Sequence, residues 1–277
     1  VLFTNAFANS SWTKPSVVTI LTSLYPSAHG VNPKASGVPV ELVTLGEVLQ
    51  SHGYATGIFS ANPYIAPLFG FGQGAERFYH HPVDVIDKLV LGHALGRLRK
   101  HFAVLAKAQA ALAKLTPLGA SANAKLPAPQ LNTAFMEWVG GLDARPFFAY
   151  LHYMEPHDPY EAPHRFAMRF DPDLPASVPV RPPFNDGFLP FAHGRSLSPQ
   201  ELRHLLARYD GEIAYVDEVL GELFQTLRQQ GLDERTLIIV TADHGEEFYV
   251  HGSWGHGQSL FNELLRVPLI IRFPSVL

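Results

Sequence analysis

The sequence predicts an α/β fold with a central, mostly parallel sheet and helices on both faces. Apolar runs at 55–60, 146–153 and 236–241 have the length and composition of buried strands. Segments with helical periodicity lie between them and carry helix-start signals, so strands and helices alternate along the chain. At 277 residues the chain is long enough for one domain of this class that also carries an insertion.

Composition excludes several classes of protein. The 47% hydrophobic and 17% charged residues are globular values, and a net charge of −4 provides no overall basic field for nucleic acid. The absence of cysteine excludes disulfides, cysteine-ligated zinc and thiol catalysis. No apolar run reaches the roughly 18 residues needed to span a bilayer. The chain starts at Val1 in what is predicted to be a strand or turn, so we expect a further segment, with any targeting signal, upstream.

The first helix is predicted to begin at Pro15, which lacks the N–H group that a helix start leaves unpaired, and to end at Leu24. Thr13 then stands just before the helix. There its hydroxyl, nearby backbone N–H groups and the positive end of the helix dipole converge on an anionic ester oxygen. A role for Thr13 as an ordinary N-cap explains the same position, and spacing alone leaves both interpretations open.

A second helix and strand follow. Thr44 and Glu47 have the spacing of a capping box, and Gly53 is predicted to end the helix before the strand at 55–60. Asn62 lies in the turn beyond that strand. We expect Asn62 to line the same edge of the sheet as the site residues, although a purely structural turn is the alternative.

Residues 83 to 116 are rich in Ala, Leu, Lys and Arg, which predicts helix, and 117 to 129 read as a flexible connector. Together they predict a helical insertion or lid at 80–130. Basic residues interleaved with apolar ones are typical of a membrane-surface helix, but the solvated face of an ordinary packed helix has the same pattern. The ordinary helix is the interpretation we favour.

The strand at 146–153 brings two polar residues, His157 and Asp158, to its carboxyl end. In open α/β sheets ligands bind at that edge. The prolines around His157 and Asp158 restrict the loop, which favours a site role for both residues. A rigid turn with solvent-exposed polar groups is the alternative.

The next segment, 170–196, has many prolines and is predicted to be an irregular surface loop. Ser198 and Glu201 then form a second capping box, and a long helix is predicted to end at Gly231. Apolar residues at helical spacing predict the buried stripe of this helix, which comprises Leu202, Leu205, Leu206, Tyr209, Ile213, Val216, Leu220, Leu223 and Leu227.

The strand at 236–241 is apolar enough for the centre of a parallel sheet, and Asp243 and His244 follow it directly. Both side chains reach one metal ion only if the chain turns sharply, which Gly245 permits. An Asp–His hydrogen bond in a solvent-facing turn is the alternative. In the glycine-rich loop beyond, His256 is a candidate to contact substrate oxygen, protonate a leaving group or bind a second cation, whereas His251 is interpreted as loop decoration.

These motifs resemble the sulfatase family of the alkaline phosphatase superfamily over nearly the whole chain apart from 80–130. The resemblance rests on Thr13-Lys14-Pro15-Ser16 with Leu21 to Gly30, Pro146 to Tyr160, Thr241 to Glu246, and His256-Gly257 with Arg266 to Ile271. It implies an alkaline-phosphatase-like sheet in a single catalytic domain, 1–277, that lacks its first strand and an acidic metal ligand. It also implies Thr13 as nucleophile and metal ligand, Asp243 and His244 as metal ligands, and His157 and His256 as substrate-contacting histidines. We place Lys14, Asn62 and Asp158 among the substrate-binding residues.

Two residues depart from the sulfatase motif C/S-x-P-x-R. Thr13 cannot be oxidised to the formylglycine aldehyde of that family, and Val17 stands where the arginine is expected. Threonine is instead the nucleophile in the family's phosphodiesterases and in similar lipid-headgroup transferases, which form a phosphothreonine intermediate. The resemblance therefore implies a metal-dependent phosphate-ester hydrolase or transferase, with sulfate ester hydrolysis and a degenerate anion-binding module as alternatives.

The expected cofactor is a divalent cation, Ca, Mn, Mg or Zn, since Asp and His ligands suit each of them to some degree. The expected partners are small-molecule, lipid-headgroup or glycan esters, and no nucleic acid. Membrane association is expected only through an upstream segment or the 80–130 insertion. The resemblance favours an extracytoplasmic or periplasmic location.

Overall fold

The computed structural model describes residues 1–32, 36–80, 126–175 and 197–274. The chain divides into two compact units, one of Val1–Val48 with Glu155–Leu277 and the other of Leu49–Met154. The predicted helical insertion at 80–130 lies almost entirely outside the described residues, as does most of the predicted loop at 170–196. None of the described helices combines the length and apolarity that crossing a membrane requires.

Strands and helices alternate along the described chain. In order they are β1 (Leu2–Phe7), α1 (Thr13–Thr22), α2 (Pro26–His29), α3 (Leu45–Ser51), β2 (Ala55–Ser60), β3 (Arg77–His80), α4 (Ala128–Gly140), β4 (Phe147–His152), α5 (His164–Ala167), α6 (Pro199–Gln229), β5 (Ile238–Thr241), β6 (Glu247–Phe248), β7 (Trp254–Gly255), α7 (Asn262–Leu265) and β8 (Arg266–Arg272).

The unit that contains Val1 has an antiparallel sheet of three described strands, in the order β1-β8-β5. The prediction that the strand at 236–241 lies in the centre of a parallel sheet is wrong. This strand is antiparallel to β8 and last in the order, and Ile239 is 55% exposed. Its apolar residues predict a strand correctly, but its pairing direction is set by the return of the chain at 266–272, which a local pattern does not contain.

The unit Leu49–Met154 contains a parallel sheet in the order β3-β2-β4. Every residue of β2 is buried, as predicted for a central strand. Phe59 of β2 packs edge-on against Phe135 of α4, with ring centroids 5.7 Å apart, and Trp138 of the same helix lies 5.6 Å away. These contacts bury the apolar face of α4 against the sheet.

Both predicted capping boxes are confirmed. Glu47 accepts the Thr44 N–H at 2.8 Å and donates its own N–H to the Thr44 hydroxyl at 3.2 Å. Ser198 and Glu201 make the same reciprocal pair at the start of α6. These boxes satisfy N–H groups that a helix start leaves without intrahelical partners.

The buried face of α6 differs from the predicted stripe. Leu205, Leu223 and Leu227 of that stripe are buried, but Leu206 and Ile213 are exposed. The buried face also contains residues outside the predicted stripe, namely His204, Gly211, Glu212 and Val219. The reason is that α6 packs in part against polar groups. His204 donates Nδ1–H to Asp171 at 2.6 Å, and Glu212 accepts two backbone N–H groups of the loop at 161–162.

Candidate active site

Thr13 is the first residue of α1, two residues earlier than predicted, because proline is tolerated in the first turn, where its missing N–H has no intrahelical partner. The N-cap is Trp12, which makes no side-chain capping bond. Capping is therefore not the role of the Thr13 hydroxyl. Instead Thr13 Oγ1 lies 3.3 Å from His244 Nε2, and the threonine is only 5% exposed.

The hydrogen bonds of His244 fix its tautomer. Its Nδ1 lies 2.8 Å from the carbonyl oxygen of Gly245, which can only accept, so Nδ1 carries the proton. In the neutral imidazole the lone pair of Nε2 then faces the Thr13 hydroxyl. This orientation, with the outer nitrogen bonded to a backbone carbonyl, is typical of histidines that bind metals.

Asp243 lies beside these groups. Its Oδ2 is 3.6 Å from His244 Nε2, and its Oδ1 accepts the His244 N–H at 3.0 Å. Donor atoms that share one cation at bond lengths of roughly 2 Å lie about 3 to 3.5 Å from each other. The separation between Thr13 and His244, 3.3 Å, falls in this range, and that between His244 and Asp243, 3.6 Å, lies just above it. A carboxylate, an imidazole and a hydroxyl have the chemistry to bind a divalent cation. No three His, Cys, Asp or Glu side chains within the described ranges form a metal-binding group, so the expected upstream carboxylate stays a prediction.

Two contacts hold the Asp243-His244 segment in place. The Ser16 hydroxyl donates to the Asp243 carbonyl, which ties the segment to α1. Gly245 donates its N–H to the Leu264 carbonyl at 2.8 Å. Asp243 and His244 are thus fixed to two separate elements of the same unit.

The two substrate histidines predicted from the sequence lie close to this segment. The ring centroids of His256 and His244 are 4.3 Å apart, and those of His256 and His157 are 5.0 Å apart. His157 Nδ1–H donates to the Asp158 carbonyl at 2.6 Å, which leaves Nε2 for another partner. The structure therefore brings together Thr13 and three histidines.

Glu246 is a site residue that the sequence reasoning missed. Its Oε1 is 2.9 Å from His256 Nδ1, its Oε2 is 3.4 Å from the hydroxyl of Tyr160, and its side chain is 5% exposed. The sequence feature that could have indicated Glu246 is its position two residues after His244, in the same turn as Asp243 and His244.

Burial and neighbouring charges shift the pKa values of these groups. Burial opposes the charge on His256, but Glu246 outweighs it and raises the pKa of His256. The pKa of His157 is lowered, first by burial and then by His256. Burial acts to raise the pKa of Glu246, yet the hydrogen bond and charge of His256 lower it, so Glu246 is an ionised acceptor.

The other three predicted residues have different surroundings. Lys14 is fully buried and donates Nζ to the Ser36 carbonyl at 3.1 Å, and burial lowers its pKa to about 8. Contact between Lys14 and substrate stays a prediction. The Asp158 side chain is 52% exposed and lies 3.2 Å from His157 Nδ1. Asn62 belongs to the other unit, where it accepts the Tyr64 N–H and lies 3.4 Å from His152, so its substrate role also stays a prediction.

Comparison with known proteins identifies a family that matches the whole chain and curated relatives that match about half of it. A sequence model named Sulfatase matches residues 1–277. The multifunctional alkaline phosphatase superfamily protein PehA of Trinickia caryophylli is 32% identical over 161 residues, which make up 50% of this chain and 30% of that protein. The choline-sulfatase of Rhizobium meliloti (strain 1021) is 28% identical over 142 residues, 48% of this chain and 27% of that protein.

Solved structures confirm the predicted fold. The phosphonate monoester hydrolase of Agrobacterium radiobacter superposes with a TM-score of 0.64 at 24% identity, and that of Silicibacter pomeroyi with 0.69 at 20% identity. In both cases the match covers 99% of this chain and 61% of the other. The chain thus spans less than two thirds of the length of each relative named here.

Proposed function

The chain belongs to the sulfatase family of the alkaline phosphatase superfamily, and from this membership we propose that it is a metal-dependent hydrolase or transferase of phosphate esters. We further propose that Thr13 is its nucleophile, which places it in the threonine branch that does not use formylglycine. One observation carries the proposal: the Thr13 hydroxyl, at the first residue of α1, lies 3.3 Å from Nε2 of His244.

Asp243, His244 and Thr13 would hold the divalent cation, together with the carboxylate expected upstream. When bound, the cation would lower the pKa of the Thr13 hydroxyl. The fit rests on the donor set, a carboxylate, an imidazole with a free lone pair and a hydroxyl, at the separations given above. Which of Ca, Mn, Mg or Zn is preferred depends on the ligands beyond these three.

The reaction begins when Thr13 Oγ1 attacks phosphorus as its proton leaves to solvent. The new Thr13 O–P bond forms while the P–O bond to the leaving group breaks, and His256 gives its Nε2 proton to the departing oxygen. The N-terminus of α1 and His157 stabilise charge on the non-bridging oxygens. Water or an acceptor alcohol then attacks the phosphothreonine and gives its proton to His256. The new P–O bond forms while the Thr13 O–P bond breaks, and Thr13 Oγ1 takes a proton back from solvent.

Sulfate ester hydrolysis is the second candidate, because a tetrahedral sulfate has the same geometry as a phosphate and one relative is a choline-sulfatase. The phosphonate monoester hydrolases among the structural relatives favour phosphorus as the central atom. A hydroxyl in place of an oxidisable cysteine or serine also favours phosphorus, since Thr13 gives no aldehyde. A catalytically degenerate site that only binds anions is the non-enzymatic alternative.

The deciding experiment compares Thr13→Val with Thr13→Ser. The protein, supplied with each divalent cation in turn, is assayed on 4-nitrophenyl phosphodiester, phosphomonoester and sulfate substrates. Valine keeps the shape of threonine without the hydroxyl, so we expect it to lower kcat at least about 1,000-fold, whereas serine keeps measurable turnover. Trapping of a phosphoryl ester on Thr13, detected by mass, would identify the nucleophile. Unchanged turnover by Thr13→Val would refute the assignment, sulfate-only turnover would favour the sulfatase reading, and an inactive wild type would favour the binding module.

Some further expectations belong to the same proposal. Residues 1–277 form one catalytic domain, and 80–130 is its helical insertion or lid. The substrates are small-molecule, lipid-headgroup or glycan esters, and the location is extracytoplasmic or periplasmic. Each of these stays a prediction from the resemblance.

A further inference from the structure

We propose that Glu246 is a positioning residue that orients His256 so that its Nε2 faces the leaving group of the substrate. This inference rests on the proposed function for the role of His256, but the contact itself is a property of the described residues. Glu246 Oε1 lies 2.9 Å from His256 Nδ1, within hydrogen-bond distance of the ring.

The Glu246–His256 bond determines which nitrogen of His256 is available. An ionised carboxylate can only accept a hydrogen bond, so Nδ1 of His256 carries a proton and donates it to Glu246. A flip of the ring would place carbon against the carboxylate and leave a charge buried without its partner. Nε2 is therefore the nitrogen that exchanges protons with a substrate.

Neighbouring rings restrict His256 from two further sides. The His244 ring lies 4.3 Å away at an interplanar angle of 32°, and the His157 ring lies 5.0 Å away at 67°. These contacts limit the tilt of the ring, while Glu246 fixes its rotation. A ring held in this way loses little freedom when the transition state forms.

Glu246 is itself held in place. Tyr160 donates its hydroxyl to Glu246 Oε2 at 3.4 Å, and the Tyr160 ring packs at 5.6 to 6.3 Å against Tyr209, Phe248 and Trp254. Gly255, the residue before His256, has φ +84°, and a Cβ there would lie 3.7 Å from Glu246 Oε1. The backbone that carries His256 thus passes directly over the carboxylate.

In the proposed reaction the proton that moves is the one on Nε2. It passes to the leaving oxygen as the P–O bond breaks, and it is replaced from the water that attacks the phosphothreonine. The Nδ1 proton stays on His256, hydrogen-bonded to Glu246, throughout. Loss of Glu246 should therefore slow the reaction most where the leaving group needs a proton, since a good leaving group departs as an anion.

The test measures how the effect of a Glu246 variant depends on the leaving group. Phenyl 4-nitrophenyl phosphate and diphenyl phosphate keep the same phenyl group but expel 4-nitrophenolate and phenolate respectively. For Glu246→Ala we expect kcat on diphenyl phosphate to fall about 10- to 100-fold, with KM little changed, and kcat on the nitrophenyl ester to fall less than about 3-fold. The double variant with His256→Ala should be no slower than His256→Ala alone.

Glu247→Gln is the matched control. Glu247 is an adjacent, fully buried carboxylate whose Oε1 accepts the N–H groups of His251 and Ser253. We expect this variant to lower the melting temperature and to affect both esters equally. Equal losses on both esters for Glu246→Ala as well would show a merely structural role and overturn the proposal.

A readout without turnover separates this proposal from the proposed function. The Nδ1–H proton of His256 should give a downfield imidazole signal in the proton NMR spectrum of the wild type, absent in His256→Gln and in Glu246→Ala. Its persistence in Glu246→Ala would overturn the proposal, even if the protein proves to be a sulfatase or inactive. Conversely, full turnover by Thr13→Val would refute the nucleophile, while the signal and the leaving-group comparison would still decide the role of Glu246.

Discussion

Two glycines of α6, Gly211 and Gly221, should respond in opposite ways to the same substitution. An alanine Cβ at Gly211 would lie 2.8 Å from the Ala167 backbone nitrogen and 2.9 Å from its Cα, whereas a Cβ at Gly221 would meet nothing within 4 Å. α5 packs on α6 at Gly211, so the contact there is with backbone that cannot move aside alone. Gly221→Ala gains only the helical preference of alanine, about 1 kcal/mol.

Gly211→Ala has the same gain but also forces the two helices apart, which costs about 1 to 3 kcal/mol for an overpacked contact. The difference between the two variants isolates the clash. Because the atoms in contact at Gly211 belong to backbone, we expect the upper part of that range, about 2 to 3 kcal/mol, or about 4 to 12 °C in melting temperature. Thermal and urea unfolding of both variants measure it. Equal stability of Gly211→Ala and Gly221→Ala would contradict a steric clash between α5 and a side chain at position 211.

Three further predictions concern groups that support the site. His29→Ala leaves the buried Val31 N–H without its acceptor and should cost about 2 kcal/mol in urea unfolding. Burial lowers the pKa of His29 more than the Pro15 carbonyl raises it, so the unfolded chain binds a proton at higher pH than the folded chain does. The free energy of unfolding of the wild type should therefore fall as the pH drops below about 6.5. The His29→Ala variant should show a smaller fall. Glu212→Ala should cost about 3 kcal/mol, because a buried carboxylate that accepts two N–H groups at 2.6 and 2.9 Å is lost, and an unchanged urea midpoint would contradict this. A chelator should abolish turnover and added divalent cation should restore it. The Asp243→Asn variant should need at least about 10-fold more cation than the wild type for half-maximal turnover. Activity that survives chelation would count against a metal.

Features that depend on a few neighbouring residues could be predicted from the sequence. The capping boxes at Thr44 and Ser198 are made by side chains three residues apart, and both are present. The strand at 55–60 is bounded by local signals and is buried throughout. The approach of Thr13 to His244 was predictable in outline, because a helix start and a strand end are both recognisable and both suit anion and metal chemistry.

Features that depend on distant parts of the chain could not be predicted. The direction in which β5 pairs is set by β8, about thirty residues later, and Leu206 is exposed because α6 turns polar residues toward the loop at 161–162. The hydrogen bond from Lys14 Nζ to the Ser36 carbonyl joins residues 22 positions apart, and no local pattern indicates it. Glu246 was missed because an acidic residue in a turn is usually solvated, whereas here His256, ten residues later, and the distant Tyr160 are its partners.

The reason for a glycine at position 245 differs between the sequence prediction and the structure. The sequence suggests that this glycine permits a sharp turn, but Gly245 is not among the glycines with positive φ, so its backbone conformation is open to other residues. What excludes them is space, because a Cβ would lie 2.0 Å from the Glu263 carbonyl oxygen. The same close approach allows the Gly245 N–H to reach the Leu264 carbonyl at 2.8 Å. The absence of one side chain therefore lets α7 clamp the turn, and the turn in turn holds Asp243 and His244 opposite Thr13.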